Sequence, residues 1–126
     1  MIVHVVLFQP RENLPEETKA RLLDDMRQAA ATIPSISRFR VGRRVKHGLP
    51  GYETSMHDNY GFAALIEFED AGGLTTYLQH PSHQAIGAHF TISAQRALAY
   101  DFEIVEELTA AAAGNSQIST PNLLRP

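Results

Sequence analysis

The sequence predicts an α+β domain whose elements run β-α-β-β-α-β, with a four-stranded antiparallel sheet. Three observations carry this. Four short runs are rich in β-branched and aromatic residues, two longer stretches have helical periodicity, and prolines and glycines fall between them. The helical stretches lie after the first strand and after the third, so the second and third strands follow each other directly. A length of 126 residues suits one domain, and 44% hydrophobic residues are ample for one core.

Residues 2–9 are nearly all apolar and end at Pro10, as a buried strand does. Residues 15–33 read as a helix. Pro15 suits its first turn, and Glu16 and Glu17 suit its positive end. Ala20, Leu23, Met26, Ala30 and Ile33 form its expected apolar stripe, and Pro34 stops it. Residues 36–46 alternate, with Phe39, Val41, Arg43 and Val45 on one face and Arg38, Arg40, Gly42 and Arg44 on the other. Residues 47–59 hold two glycines and a proline and read as a long loop. In the third strand, residues 60–69, Tyr60, Phe62, Ala64, Ile66 and Phe68 share a face. Asp70 can cap a short helix through Leu78. His80-Pro81 breaks it, because the residue before proline leaves the α region. A further helix is expected over 82–98 and a fourth strand over 100–106. This is the ferredoxin-like order. The domain is expected over residues 1–106, with 107–126 as a C-terminal tail that is mobile or packs on a partner.

Composition narrows the function. A formal net charge of −3 argues against nucleic-acid binding, and the arginines of the second strand read as a solvated face. Without cysteine there is no disulfide or thiol chemistry. A metal would rest on histidines and carboxylates alone, and His80 and His83 straddle a proline with no third ligand at a recognisable spacing. The expectation is therefore no metal and no cofactor. "MIVHVVLFQP" has neither a basic flank nor a membrane-length apolar run, so the expectation is a cytoplasmic protein without a membrane partner.

Helices cover only one face of such a sheet, yet the first strand is apolar on both: Val3, Val5 and Leu7 on one, Ile2, Val6 and Phe8 on the other. The second face needs a cover. The sheet of a second copy supplies one, which predicts a homodimer through the sheet faces and a shared barrel.

His4 within "IVHVVLF", Gly42 in "FRVGRRV", "ALIEFED" at 64–70, "YLQHPSH" at 77–83 and "YDFE" at 100–103 together resemble the stress-responsive A/B barrel (Dabb) family, among the dimeric α+β barrels. Many members of that family have no assigned reaction. One characterised relative, olivetolic acid cyclase, closes a polyketide by an aldol reaction without a cofactor. The resemblance implies His83 as catalytic base, Tyr77 and His4 as pocket groups and Asp101 as their support. Where that relative has a further pocket histidine, this chain has Phe62.

These residue types suit proton abstraction beside a carbonyl. A partly buried histidine stays neutral and accepts a proton. A carboxylate such as Asp101 can orient it, and a tyrosine hydroxyl can donate to the oxygen where charge develops. The expectation is a cofactor-free enzyme acting on a small carbonyl, aromatic or polyketide-like compound. The competing reading is a non-enzymatic dimeric stress-associated module, structural or ligand-binding. In it, His80 caps a helix, His83 bonds a backbone carbonyl, Asp101 bonds the sheet edge and Tyr77 fills the core. Heme or quinol monooxygenase chemistry, known in related barrels, has no residue pattern in its favour.

Overall fold

The computed structural model of the protein describes residues 1–110. β1 spans Ile2–Pro10, α1 Glu16–Thr32, β2 Ile36–Arg43, β3 Phe62–Phe68, α2 Ala71–Gln79, α3 Pro81–Gly87, α4 His89–Ile92 and β4 Ala94–Glu103. The loop from β2 to β3 holds one 3-10 turn at Glu53–Ser55. The strands form one antiparallel sheet in the order β2-β3-β1-β4, the ferredoxin-like arrangement.

Register places the residues that matter in rows across one face of the sheet. Phe39, Ile66, His4 and Asp101 form one row, and Val41, Ala64, Val6 and Ala99 the next. Arg43, Phe62, Phe8 and Ala97 form the third. The helices cover this face. Ile66 and Phe68 are buried in a cluster with Ala29 and Ile33 of the α1 end and Tyr77 of α2. α1 turns Leu22, Met26, Ala29 and Ile33 inward: Met26 and Ile33 are as expected, whereas Leu22 and Ala29 take the places of Leu23 and Ala30, which are exposed. The run Ala29-Ala30-Ala31 gives no periodic signal to set the rotation of the helix.

α2 starts at Asp70, whose side chain accepts a hydrogen bond from the Gly73 N–H at 2.8 Å. A Cβ at Gly73 would stand 3.3 Å from the Phe68 Cβ, so a glycine here lets the helix settle onto β3. The helix ends where the His80 N–H bonds the Tyr77 carbonyl. The His80 ring then accepts from the Ser82 N–H at 3.0 Å, with Pro81 at the first position of α3. One residue thus closes one helix and caps the next.

The chain departs from the expected helix over 82–98. Helical structure ends at Ile92, and β4 already begins at Ala94. Alanines in 94–99 favour a helix, but β1 is long and would be left with an unpaired edge. Pairing Phe8 with Ala97, Leu7 with Leu98 and Val6 with Ala99 satisfies that edge. The fourth strand accordingly ends at Glu103 and not at residue 106. The tail expected from 107 onward lies, beyond residue 110, outside the described residues. On the face away from the helices, Tyr100 is 60% and Phe102 54% exposed, alongside Val3, Val5 and Leu65.

Candidate functional site

β1, α2, α3 and β4 bring His4, Tyr77, His83 and Asp101 to one place. His4 and Asp101 are register partners on neighbouring strands, and the His4 Nδ1 lies 2.5 Å from a carboxylate oxygen of Asp101. Tyr77 is fully buried over them, its ring 5.7 Å from that of His4 in an edge-on contact. The helix break at Pro81 swings His83 back against Tyr77, with ring centroids 4.6 Å apart.

The expected pairing of Asp101 with His83 does not form. Asp101 is the partner of His4. The His83 Nδ1 lies 3.1 Å from the Leu78 carbonyl oxygen instead. Asp101 belongs to the edge strand, opposite His4 in the antiparallel ladder, and a short strand-to-strand contact is what that register offers.

Both imidazoles are therefore held through the same nitrogen. A carbonyl oxygen only accepts, so His83 donates from Nδ1–H, and in the neutral ring Nε2 carries the free lone pair. Burial pushes the His83 pKa below the ordinary 6.5, against the Leu78 carbonyl, which favours the charged form; the neighbouring His4 adds to the lowering. A neutral ring with an open Nε2 can take a proton near neutral pH. In His4 the proton on Nδ1 faces the carboxylate, which again leaves Nε2 for a ligand. Burial first, and then the Asp101 charge, push the Tyr77 pKa well above its ordinary value. Its hydroxyl is thus a donor throughout the physiological range.

His4, Tyr77 and His83 line one end of a cavity of about 770 Å³ between the sheet and the helices. Val6, Phe8, Ala64 and Phe62 form its floor, and Leu22, Leu23 and Met26 of α1 its other wall. Phe62 faces this space, so the cavity is apolar where a further histidine would make it polar.

His80 stays outside the group, as the cap of α3. His89, which no sequence motif singles out, is buried. Its Nδ1 lies 2.7 Å from the Ser93 hydroxyl and its Nε2 3.1 Å from Asp25 of α1. Only the spacing of His89 and Ser93 within one turn hinted at a local bond. Ser93 is fully buried, so this arrangement ties α4 to α1 and presents no reachable nucleophile. Among the described residues no three histidine or acidic side chains come together as metal ligands. No described helix is long and apolar enough to cross a membrane.

The family model described as Stress responsive A/B Barrel Domain matches residues 2–104. No curated protein matches the chain. A dimeric protein of unknown function with a ferredoxin-like fold from Bacteroides fragilis superposes with a TM-score of 0.57 at 25% identity, over 82% of this chain and 95% of its own. A Dabb family protein with a ferredoxin-like fold from Mesorhizobium loti gives 0.62 at 23% identity, over 83% and 97%. The hydroxynitrile lyase of Passiflora edulis gives 0.69 at 11% identity, over 86% and 96%, a likeness of fold.

Proposed function

The chain belongs to the stress-responsive A/B barrel domain family, and on that footing we propose that it is a cofactor-independent enzyme that moves a proton at the carbon beside a carbonyl group. The observation that carries this reading is the placement of His83, bonded to the Leu78 carbonyl through Nδ1 and packed beside the Tyr77 ring. In the proposed step the carbonyl oxygen of the substrate lies against the Tyr77 hydroxyl and the Nε2 side of His4. The His83 Nε2 removes a proton from the adjacent carbon, and the electron pair of that C–H bond moves into the enolate. Negative charge then develops on oxygen, where Tyr77 donates. Asp101 keeps the His4 ring oriented and gives its positive form a counter-charge if that ring carries a second proton. The enolate either regains a proton at carbon from His83, which exchanges or inverts that centre, or attacks a second carbonyl, whose π pair moves to its oxygen and takes the proton from His83, which closes the aldol and restores the base.

The pH dependence tests this. The active form is neutral His83, so the rate rises with pH as that ring loses its proton. Because the pKa is lowered, the half-maximal point is expected below 6.5, with a plateau above it. A rate that falls as the pH rises, or that is half-maximal above the ordinary histidine value, would remove His83 as the base.

We also propose a homodimer through the open sheet face. Apolar Val3, Val5, Leu65, Tyr100 and Phe102 gather there, and similar structures are described as dimeric. Sedimentation should show a dimer at micromolar concentration. Phe102→Glu, which places a charge on that face, should shift it to monomer. A monomeric native protein would contradict the proposal.

A further inference from the structure

His80 stands at the break between α2 and α3, where the position of His83 is decided, and the proton-transfer reading leaves it unused. The backbone donors of the first turn of α3 can be accounted for there. Pro81 has no N–H. The His83 and Gln84 N–H groups both reach the His80 carbonyl, at 3.0 and 3.2 Å. The Ser82 N–H is the remaining donor, and it bonds the His80 ring nitrogen Nδ1 at 3.0 Å in a partly buried position. The imidazole thus fills the place that serine, threonine, aspartate or asparagine usually takes.

That choice of residue has a chemical consequence. A backbone N–H only donates, so the His80 Nδ1 holds a lone pair and the ring proton sits on Nε2. His83 and His4 are arranged the other way, with the proton on Nδ1 facing a carbonyl oxygen and a carboxylate. A second proton on either of those rings goes to Nε2 and keeps the bond already made. A second proton on His80 goes to Nδ1, takes the lone pair and leaves two N–H groups pointed at each other.

The cap matters to α3, which is seven residues long and too short to be stable by itself. Ile86 anchors it against the core cluster, and the Ser82 hydroxyl lies 3.1 Å from that of Thr32 at the end of α1. The titratable neighbours of the break are Tyr77 of α2 and His83 of α3, and the contact from α1 is the uncharged Thr32. Among the described residues no ion pair includes His80, so its charged form gains no partner to offset the lost cap.

We infer that His80 is a titratable positioning residue: neutral, it caps α3 and holds His83 against Tyr77; protonated, it loosens the first turn of α3 and the base with it. The kinetic consequence rests on the reading of His83 as the base. The structural consequence rests on the bond to Ser82 alone.

The test compares His80→Asn, whose side-chain oxygen can cap and does not titrate, with His80→Ala, which cannot cap. Ring-nitrogen NMR of the native protein above the histidine range should show the His80 proton on Nε2. As the pH falls and His80 takes a second proton, protection of the Ser82 N–H against hydrogen exchange should drop about fivefold relative to the intrinsic rate at each pH, the usual effect of losing one cap. His80→Asn should keep its protection over the same range, and His80→Ala should show the drop throughout. Thermal unfolding establishes that both variants are folded, and if His80→Ala is not, the comparison of native with His80→Asn decides alone. In assays of proton abstraction, the native rate at low pH should lie about fivefold below a single titration of His83, and His80→Asn should return to that single titration. A His80 proton on Nδ1, Ser82 protection that falls equally in native and His80→Asn, or a pH–rate profile shared by the two would overturn the inference. If Ser82 behaves as expected and no proton abstraction is found, the titratable cap stands and the proton-transfer reading falls. Proton abstraction with Ser82 protection indifferent to pH has the opposite meaning.

Discussion

Replacing His83 by glutamine is expected to lower the rate of proton abstraction by about 10²–10⁴-fold, the usual contribution of a positioned general base. Glutamine keeps a polar side chain of similar reach, although the bond from Nδ1 to the Leu78 carbonyl is lost. What it lacks is a basic lone pair at the position of Nε2. Ketone affinity should change little, because Tyr77 and His4 remain to hold the carbonyl oxygen. The loss should therefore fall on kcat with KM nearly unchanged, as for an interaction made only in the transition state. A variant that keeps more than a tenth of the native rate would move the base elsewhere, first to His4, whose Nε2 is also free.

Tyr77→Phe is expected to cost about 10²–10³-fold in kcat, the range found when one donor to a developing oxyanion is removed. The ring is fully buried and packs against Phe68 at 5.3 Å and His83 at 4.6 Å, contacts that phenylalanine keeps. Stability should thus stay near native, and the kinetic loss can be assigned to the hydroxyl. The native hydroxyl holds its proton because burial and the Asp101 carboxylate both disfavour its anion. An unchanged rate in Tyr77→Phe would mean that the oxygen is held by His4 alone. A collapse in stability with an unchanged rate per folded molecule would return Tyr77 to the hydrophobic core.

Much of the fold is legible in the sequence for physical reasons that can be named. β1 alternates two apolar faces, which calls for layers on both sides, and β2 alternates arginine with Phe39 and Val41, which suits an edge strand whose arginines pair with Glu67. His80-Pro81 breaks the helix because backbone sterics allow little else, and that break is what turns His83 toward Tyr77. The stretch 82–98 was less legible. Its alanines favour a helix locally, and only the vacant edge of β1, a partner distant in sequence, makes residues 94–99 a strand. The partner of Asp101 was hidden for the same reason. Which histidine it faces depends on the antiparallel register of β1 and β4, and the register is not written in either strand alone. The buried state of His89 depends on Asp25 in α1, 64 residues away.

On the proposed reading, this cavity removes a proton from a carbon beside a carbonyl without any added cofactor. The most direct test is proton NMR of an alkyl methyl ketone in heavy water with the native protein, under conditions where calorimetry shows the ketone bound. Deuterium should replace hydrogen only at the carbons next to the carbonyl, faster than in buffer, and the excess should vanish in His83→Gln. A bound ketone that exchanges no faster than in buffer would contradict the account.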